Sequence, residues 1–301
     1  MILSVSRRTD IPNYYSDWFY NRIKEQFVYV RNPMNPHQVS KIDLSPEVVD
    51  CIVFWTKNPE PMITRLGELS AYHYYFQFTL TGYGKDIERN VPHKKEKMIL
   101  IFQKLSDKIG NQKVLWRYDP IMFTKTYTPE YHLKAFGQIA CALNGYTKKC
   151  IISFVDVYAK NKRTMKTLGA YELKDNDLMQ FSKQIYEMAR ENNITVASCA
   201  EQIDLSACGI EHNCCIDKDL IEKITKRHFH ISKDKNQRTE CGCVESVDIG
   251  AYNTCKNECC YCYANDNQER VMNNCRNYDA NSPILCGTIM LDDKVTERKV
   301  R

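Results

Sequence analysis

Cys255-Lys256-Asn257-Glu258-Cys259-Cys260-Tyr261-Cys262-Tyr263-Ala264-Asn265 sets three cysteines in the spacing CxxxCxxC, with an aromatic residue just before the last. Thiolates this close along one loop can converge on a single soft metal centre, and such ligands select iron–sulfur clusters or zinc. Three ligands rather than four leave one iron of a 4Fe–4S cluster open to a non-protein ligand. Zinc sites usually pair one CxxC with a second CxxC or with HxxxH. Here the first spacing is CxxxC, and no histidine follows Cys255. The residues favour a cluster on Cys255, Cys259 and Cys262, with zinc as the alternative. Just upstream, residues 244–249 read as a strand closed by Gly250; downstream, residues 266–277 read as a helix.

This spacing, with Tyr261 before the third cysteine, resembles the signature of the radical S-adenosylmethionine (SAM) superfamily. The resemblance implies a 4Fe–4S cluster whose open iron is chelated by the amine and carboxylate of SAM. An electron from the cluster then cleaves SAM to methionine and a 5′-deoxyadenosyl radical. Tyr261, with Tyr263, is the implied cofactor contact, and an electron donor such as a flavodoxin or ferredoxin is the implied partner. The Cys-Tyr-Cys-Tyr run is also similar to that of spore photoproduct lyase. Two departures stand out. The motif lies near the C-terminus rather than near the start, and no Gly-Gly-Glu stretch is present to hold the SAM amine. Arg7, Arg8, Asp10 and Glu201 are the candidates for that task.

The remaining chain fits one large α/β domain or two smaller ones, with 43% apolar and 26% charged residues over 301 positions. The apolar run at Ile2 is too short for a signal peptide, and no stretch approaches the ~20 apolar residues that span a bilayer. A net charge of +5 permits nucleic-acid binding without arguing for it. Of 15 cysteines, twelve lie between Cys199 and Cys286. An odd count without a secretory signal points to a reducing cytoplasm and metal-ligand cysteines rather than disulfides.

The first two-thirds alternate short β-branched runs with helical patterns. Strands are expected at 2–6, 51–55, 74–79, 114–117, 150–155 and 194–198, with a further extended piece at 27–31. Helices are expected at 17–26, 61–69, 94–104, 129–143 and 176–190, and later at 218–226. This alternation predicts a parallel sheet covered by helices, closed or partly closed into a TIM-like (β/α) barrel over residues 1–200. Residues 201–301 form a Cys-rich, cluster-binding region that completes it. Because the motif follows the last strand, the barrel is expected to be circularly permuted, the last strand pairing beside the first.

Strand ends carry Arg7, Arg8 and Asp10, then Lys57, then Arg117 and Asp119, and finally Glu201. The carboxyl rim is where βα barrels bind substrates. Arg7, Arg8, Lys57 and Arg117 suit an anionic substrate, and Tyr118, Tyr158 or Tyr252 suit a proton or electron relay. A second set of thiols, Cys241 and Cys243 with Cys199 and Cys215, suits an auxiliary cluster, or a Cys₄ zinc. Cys208 and Cys214 are reserve ligands.

Residues 4–12, 53–59, 117–120, 198–201, 234–243 and 246–255 together resemble the bacterial domain-of-unknown-function family 1848 over nearly the full length. The resemblance implies no substrate. The leading expectation is a radical-SAM-type enzyme with one or two 4Fe–4S clusters, acting on an anionic or nucleic-acid substrate. The competing one is a nucleic-acid-binding protein with a structural iron–sulfur or zinc site, using 233–238 and His228-Phe229-His230.

Overall fold

The computed structural model describes residues 1–92 and 95–298. β1 (Ile2–Val5) leads into a one-turn α1 (Ile11–Tyr14) and α2 (Ser16–Glu25). β2 (Phe27–Asn32), β3 (Asn35–Asp43), β4 (Cys51–Thr56), a short α3 (Glu60–Ile63) and β5 (Tyr74–Thr79) follow. The alternation continues through α4 (Lys95–Ile109), β6 (Val114–Ile121), α5 (Pro129–Ala142) and β7 (Lys149–Phe154). Next come α6 (Lys162–Leu168), α7 (Asp175–Glu191) and β8 (Thr195–Ser198). The chain ends with β9 (Glu211–His212), α8 (Lys218–Thr225), β10 (Val247–Asp248), α9 (Gln268–Arg276) and β11 (Lys294–Glu297). Lys94, the start of the helix expected at 94–104, lies outside the described residues.

Local chemistry explains several boundaries. Thr128 caps α5 by accepting the Tyr131 N–H at 3.2 Å, and Pro129 takes the first helical position, where no donor is needed. Asp217 caps α8 through the N–H groups of Asp219 and Leu220. On α7, Phe181, Ile185 and Ala189 recur every four residues and form its buried stripe.

The principal sheet has eight strands in the order β10-β1-β4-β5-β6-β7-β8-β9. β10 pairs parallel to β1, with Leu3 opposite Val247 and Ser4 opposite Asp248, so the last strand of this sheet does lie beside the first. It is shorter than the expected 244–249, because Val244 instead bridges to Lys233. Cys51, Ile52, Val53 and Phe54 of β4 are all fully buried, as parallel strands covered on both faces require. Among the described residues no pairing joins β9 to β10, so the two end strands stay unpaired with each other. A second sheet, β11-β3-β2, was not anticipated. In it β2 and β3 form an antiparallel hairpin, and β11 runs parallel to β3.

The chain divides into two compact units: Met1–Tyr75, Ser246–Glu258 and Cys262–Arg301 form the first, Phe76–Glu245 and Cys259–Tyr261 the second. In the first, Trp18, Tyr15, Phe19 and Phe54 are fully buried, Phe19 meeting Phe54 edge-on at 5.3 Å. In the second, Trp116 stacks on Phe136 at 4.7 Å and Phe78 on Phe102 at 5.0 Å. Each such ring contributes about 1.5–3 kcal/mol through burial. Among the described residues no helix is long and apolar enough to cross a membrane.

His132 on α5 is fully buried, with Tyr83, Tyr118 and Phe123 edge-on to its ring. Its Nε2 donates to the Met122 carbonyl at 3.1 Å and its Nδ1 accepts the Tyr118 hydroxyl at 2.9 Å, which fixes a neutral tautomer. Burial lowers its pKa to about 4. Between there and the ordinary value near 6.5 the unfolded chain binds the proton and the folded chain does not, so stability falls as pH falls through that window. Urea unfolding at pH 7 and at pH 5 should show His132→Gln losing about 2 kcal/mol less than the unmodified chain between the two. Equal losses would show that His132 is not the acid-sensitive group.

Candidate metal centres

The first unit gathers its polar side chains at the carboxyl ends of β1, β4 and β10. Asp10, directly after β1, is buried, and both its carboxylate oxygens are taken. Oδ1 accepts the Thr56 hydroxyl at 2.6 Å and the Asn13 N–H at 3.2 Å. Oδ2 accepts the Lys57 N–H at 2.9 Å and the Asn257 amide at 3.0 Å. Burial raises its pKa, and these four donors pull it back. Asn257 belongs to the cysteine loop and also accepts the Tyr14 hydroxyl at 2.9 Å. Asp10 is thus a clamp that fixes this loop against α1 and the end of β4.

Asp248 on β10 does similar work. It accepts the hydroxyls of Ser4, at 3.0 Å, and Ser6, and the N–H groups of Arg7 at 2.9 Å and Gly250 at 3.0 Å. The Arg7 guanidinium lies 5.7 Å above the Trp55 ring and that of Arg8 lies 5.1 Å above Tyr252. The Arg8 guanidinium also donates to the Gly250 carbonyl at 3.4 Å. Tyr263 donates its hydroxyl to the Arg7 carbonyl at 2.8 Å and keeps 45% of its surface exposed.

Cys255 and Cys262 both lie in this unit. Burial pushes the Cys255 thiol up to about 12, helped by the negative charges of Asp10 and Cys262. The backbone N–H groups of Asn257 and Asp10 oppose that rise. Cys262 accepts the Ala264 N–H at 3.3 Å. N–H donors aimed at sulfur stabilise thiolate and tune iron–sulfur sites.

Cys259, Cys260 and Tyr261 belong to the second unit. Cys259 bridges to Glu88, and Cys260 donates its N–H to the Ile87 carbonyl at 2.9 Å. Tyr261 is buried among Ile87, Met122, Tyr127 and Met165, and its hydroxyl bonds the Glu88 carboxylate. Its ring and hydroxyl are therefore both engaged inside the protein.

The second unit also brings together all four expected auxiliary cysteines. Cys199 and Cys215 sulfurs lie 3.1 Å apart, and Cys243 is near enough to Cys215, and Cys241 to Cys243, to shift their titration. Thiol protons from Cys199 and Cys243 hold Cys215 well below the usual thiol range, and the Arg117 guanidinium adds to this. Arg117 donates to the Cys215 sulfur at 2.8 Å, forms a two-pronged pair with Asp119, and is buried. Burial lowers its pKa, but Asp119 and the two sulfurs outweigh that and hold it well above the ordinary value. Asn213 donates to Cys215 at 3.3 Å and the Ile216 N–H to Cys243 at 3.3 Å. Gly242 is required by close approach, since a Cβ there would meet the Cys214 sulfur at 2.5 Å. Among the described residues no three cysteine sulfurs lie mutually within 4.8 Å. The four form a string whose first pair of sulfurs is closer than the ~3.8 Å edges that follow from a zinc–sulfur tetrahedron.

Other expected residues are placed as follows. Glu201 accepts the Phe154 N–H at 2.9 Å, and burial raises it to about 7. Tyr118 is buried on His132. Tyr158 and Asp156 pair with Arg238, and the Lys233 ammonium donates to the Thr239 carbonyl at 2.6 Å, so much of the 233–238 charge is engaged internally. The clamp residues Asn257 and Asp248, and Glu88, escaped sequence reasoning because lone polar residues carry no spacing signal. His37, Asp292 and Asp293 do bring ligand atoms mutually within 4.8 Å. There, however, Arg31 already holds Asp293 through two contacts of 2.6 Å, supplying the positive charge itself.

Comparison with curated proteins returns no match, and neither does comparison with solved structures. The family model described as "Domain of unknown function (DUF1848)" matches residues 2–264, a span that contains β1 to β10, the sulfur string and the whole CxxxCxxC loop. The chain belongs to the DUF1848 family.

Proposed function

We propose that this protein is a radical-SAM-type iron–sulfur enzyme of the cytoplasm, acting on an anionic or nucleic-acid substrate. The observation that carries the reading is the placement of Cys255: a half-buried thiol in the CxxxCxxC loop, which Asp10 clamps through Asn257. A free thiol does not need that arrangement; a metal-bound thiolate does. Cys255, Cys259 and Cys262 would hold a 4Fe–4S cluster with one open iron. With SAM bound there, the group supplies the electron for reductive cleavage and a 5′-deoxyadenosyl radical for hydrogen abstraction. The parallel pairing of β10 with β1 supports a circularly permuted βα barrel as the scaffold.

The chain's own residues have defined tasks in this reading. Asp10, with both oxygens bonded, positions the loop and is withdrawn from binding the SAM amine. Tyr261 anchors the motif, and Tyr263 keeps an exposed ring for the adenine. Arg7 and Arg8 supply positive charge beside Trp55 and Tyr252 for an anionic substrate. Cys199, Cys215, Cys241 and Cys243 would hold an auxiliary 4Fe–4S cluster, with a Cys₄ zinc as the alternative.

Anaerobic reconstitution followed by electron paramagnetic resonance should show a cluster signal that changes on adding SAM. With dithionite, Cys259→Ala should lose 5′-deoxyadenosine formation; undiminished formation would eliminate the mechanism. SAM-independent spectra together with steeply salt-dependent nucleic-acid binding would instead favour a binding protein with structural clusters. Iron and acid-labile sulfide should each approach about eight per chain and fall to about four in Cys215→Ser. Four in the unmodified chain, or stoichiometric zinc, would remove the second cluster.

A further inference from the structure

Within the first unit, the last turns of α2, the start of β2 and the loop that follows α9 enclose a cleft of about 400 Å³. Arg22, Lys24, Glu25, Phe27 and Pro283 contribute to its lining. Four successive carbonyls of that loop are bonded to the body of the unit. Ala280 accepts the Asn21 amide at 2.9 Å and Asn281 the Arg22 guanidinium at 3.0 Å. Ser282 accepts the Trp18 indole N–H at 2.8 Å and Pro283 the Tyr29 N–H at 2.8 Å. The wall is thereby pre-formed, and the volume falls within the roughly 300–1,000 Å³ of small-molecule sites.

Arg22 is only 4% exposed, yet among the described residues no carboxylate forms an ion pair with it. Its contacts are the Asn281 carbonyl and the face of Phe27, 5.6 Å from the ring centroid, and its Nε is buried without an acceptor. Glu25 and Asp279 act on it at longer range, and burial prevails over them, lowering its pKa. Asp279 is already committed, accepting the Asn281 N–H at 2.9 Å. The C-terminal end of α2 attracts cations, which accounts for the exposed Lys24. It does not supply the pair of oxygens that a buried guanidinium bonds, and a buried charge without a partner is costly.

We propose that this cleft binds a small organic oxyanion, a carboxylate or phosphate whose head meets Arg22 and Lys24 and whose apolar body lies against Phe27 and Pro283. The lining sets two cations against one carboxylate, the exposed Glu25. A guanidinium bonds either head group through two parallel N–H donors, and an aromatic ring beside it suits a flat apolar body. The cleft draws on neither Arg7 nor Arg8, so it is independent of the anionic-substrate site proposed above.

Saturation-transfer NMR on the full-length protein, titrated with benzoate, phenyl phosphate, acetate and neutral benzamide, tests this. Benzoate or phenyl phosphate should bind, the tighter of the two naming the head group. Benzamide, which lacks the charge, and acetate, which lacks the ring, should each bind at least about tenfold more weakly. Arg22→Gln should abolish binding. Lys24→Glu, at an exposed position, should weaken it about tenfold, and it keeps the test decisive if Arg22→Gln fails to fold. The double variant Arg7→Gln/Arg8→Gln should bind as the unmodified chain does. Benzoate and phenyl phosphate binding no better than benzamide or acetate would overturn the proposal. So would undiminished binding in either cleft variant, or a loss confined to the Arg7→Gln/Arg8→Gln protein.

Discussion

The buried carboxylate of Asp10 is the interaction on which the first unit's candidate site depends. Removing such a charge from water costs several kcal/mol, which only full hydrogen bonding offsets. Four donors do so, and they come from three segments: the start of α1, the end of β4 and the cysteine loop. A bond to a charged group contributes about 1.5–3 kcal/mol, so none of the three segments can leave without exposing an expensive deficit. The loop that carries Cys255 is therefore held by the protein's own hydrogen bonds. Asp248 repeats the device one strand away, binding β1, its exit loop and Gly250 to a single carboxylate.

In the second unit the fixed charge is positive. Arg117 is buried with Asp119, which neutralises it, and its remaining donor is turned to the Cys215 sulfur. A thiolate at Cys215 then adds one negative charge to an otherwise balanced pair. Two neighbouring thiols share their protons with that charge. A cation bound among the four sulfurs would displace those protons, so affinity for metal there must rise with pH. Arg117, read from the sequence as a substrate-binding residue at a strand end, is in this geometry a partner of sulfur.

The strands of the principal sheet were legible because each is an apolar, β-branched or aromatic run bounded by polar residues. Residues 74–79 match β5 exactly, and most others fall within a residue or two. β6 extends past 117 to Ile121, across Pro120, which a sequence reading takes as a stop. The second sheet was invisible for an opposite reason. β3 buries only Val39 and Ile42, and all four residues of β11 are exposed, so neither has an apolar pattern to detect. α6 buries Met165 alone. At the site, cysteine spacing was enough to nominate both sulfur groups, because ligand chemistry restricts the residue type. The acids were misread in role. A sequence cannot distinguish a carboxylate aimed at a ligand from one aimed at its own backbone, and Asp10 is the latter.

Tyr261 sharpens that point within the motif itself. An aromatic residue before the third cysteine invites assignment to a bound nucleoside. Here the ring is packed among Ile87, Met122, Tyr127 and Met165 and the hydroxyl is held by Glu88, whose carboxylate also accepts the Thr81 hydroxyl at 2.9 Å. Burying a side chain of this size contributes about 1.5–3 kcal/mol. In the proposed site, residues that present sulfur to a metal would have little area left with which to hold themselves down. An aromatic anchor between Cys259 and Cys262 supplies that area, and a smaller residue would leave the loop to fluctuate. The requirement for an aromatic at this position thus follows from packing, and of the motif's two tyrosines only Tyr263 has ring surface left to offer a ligand.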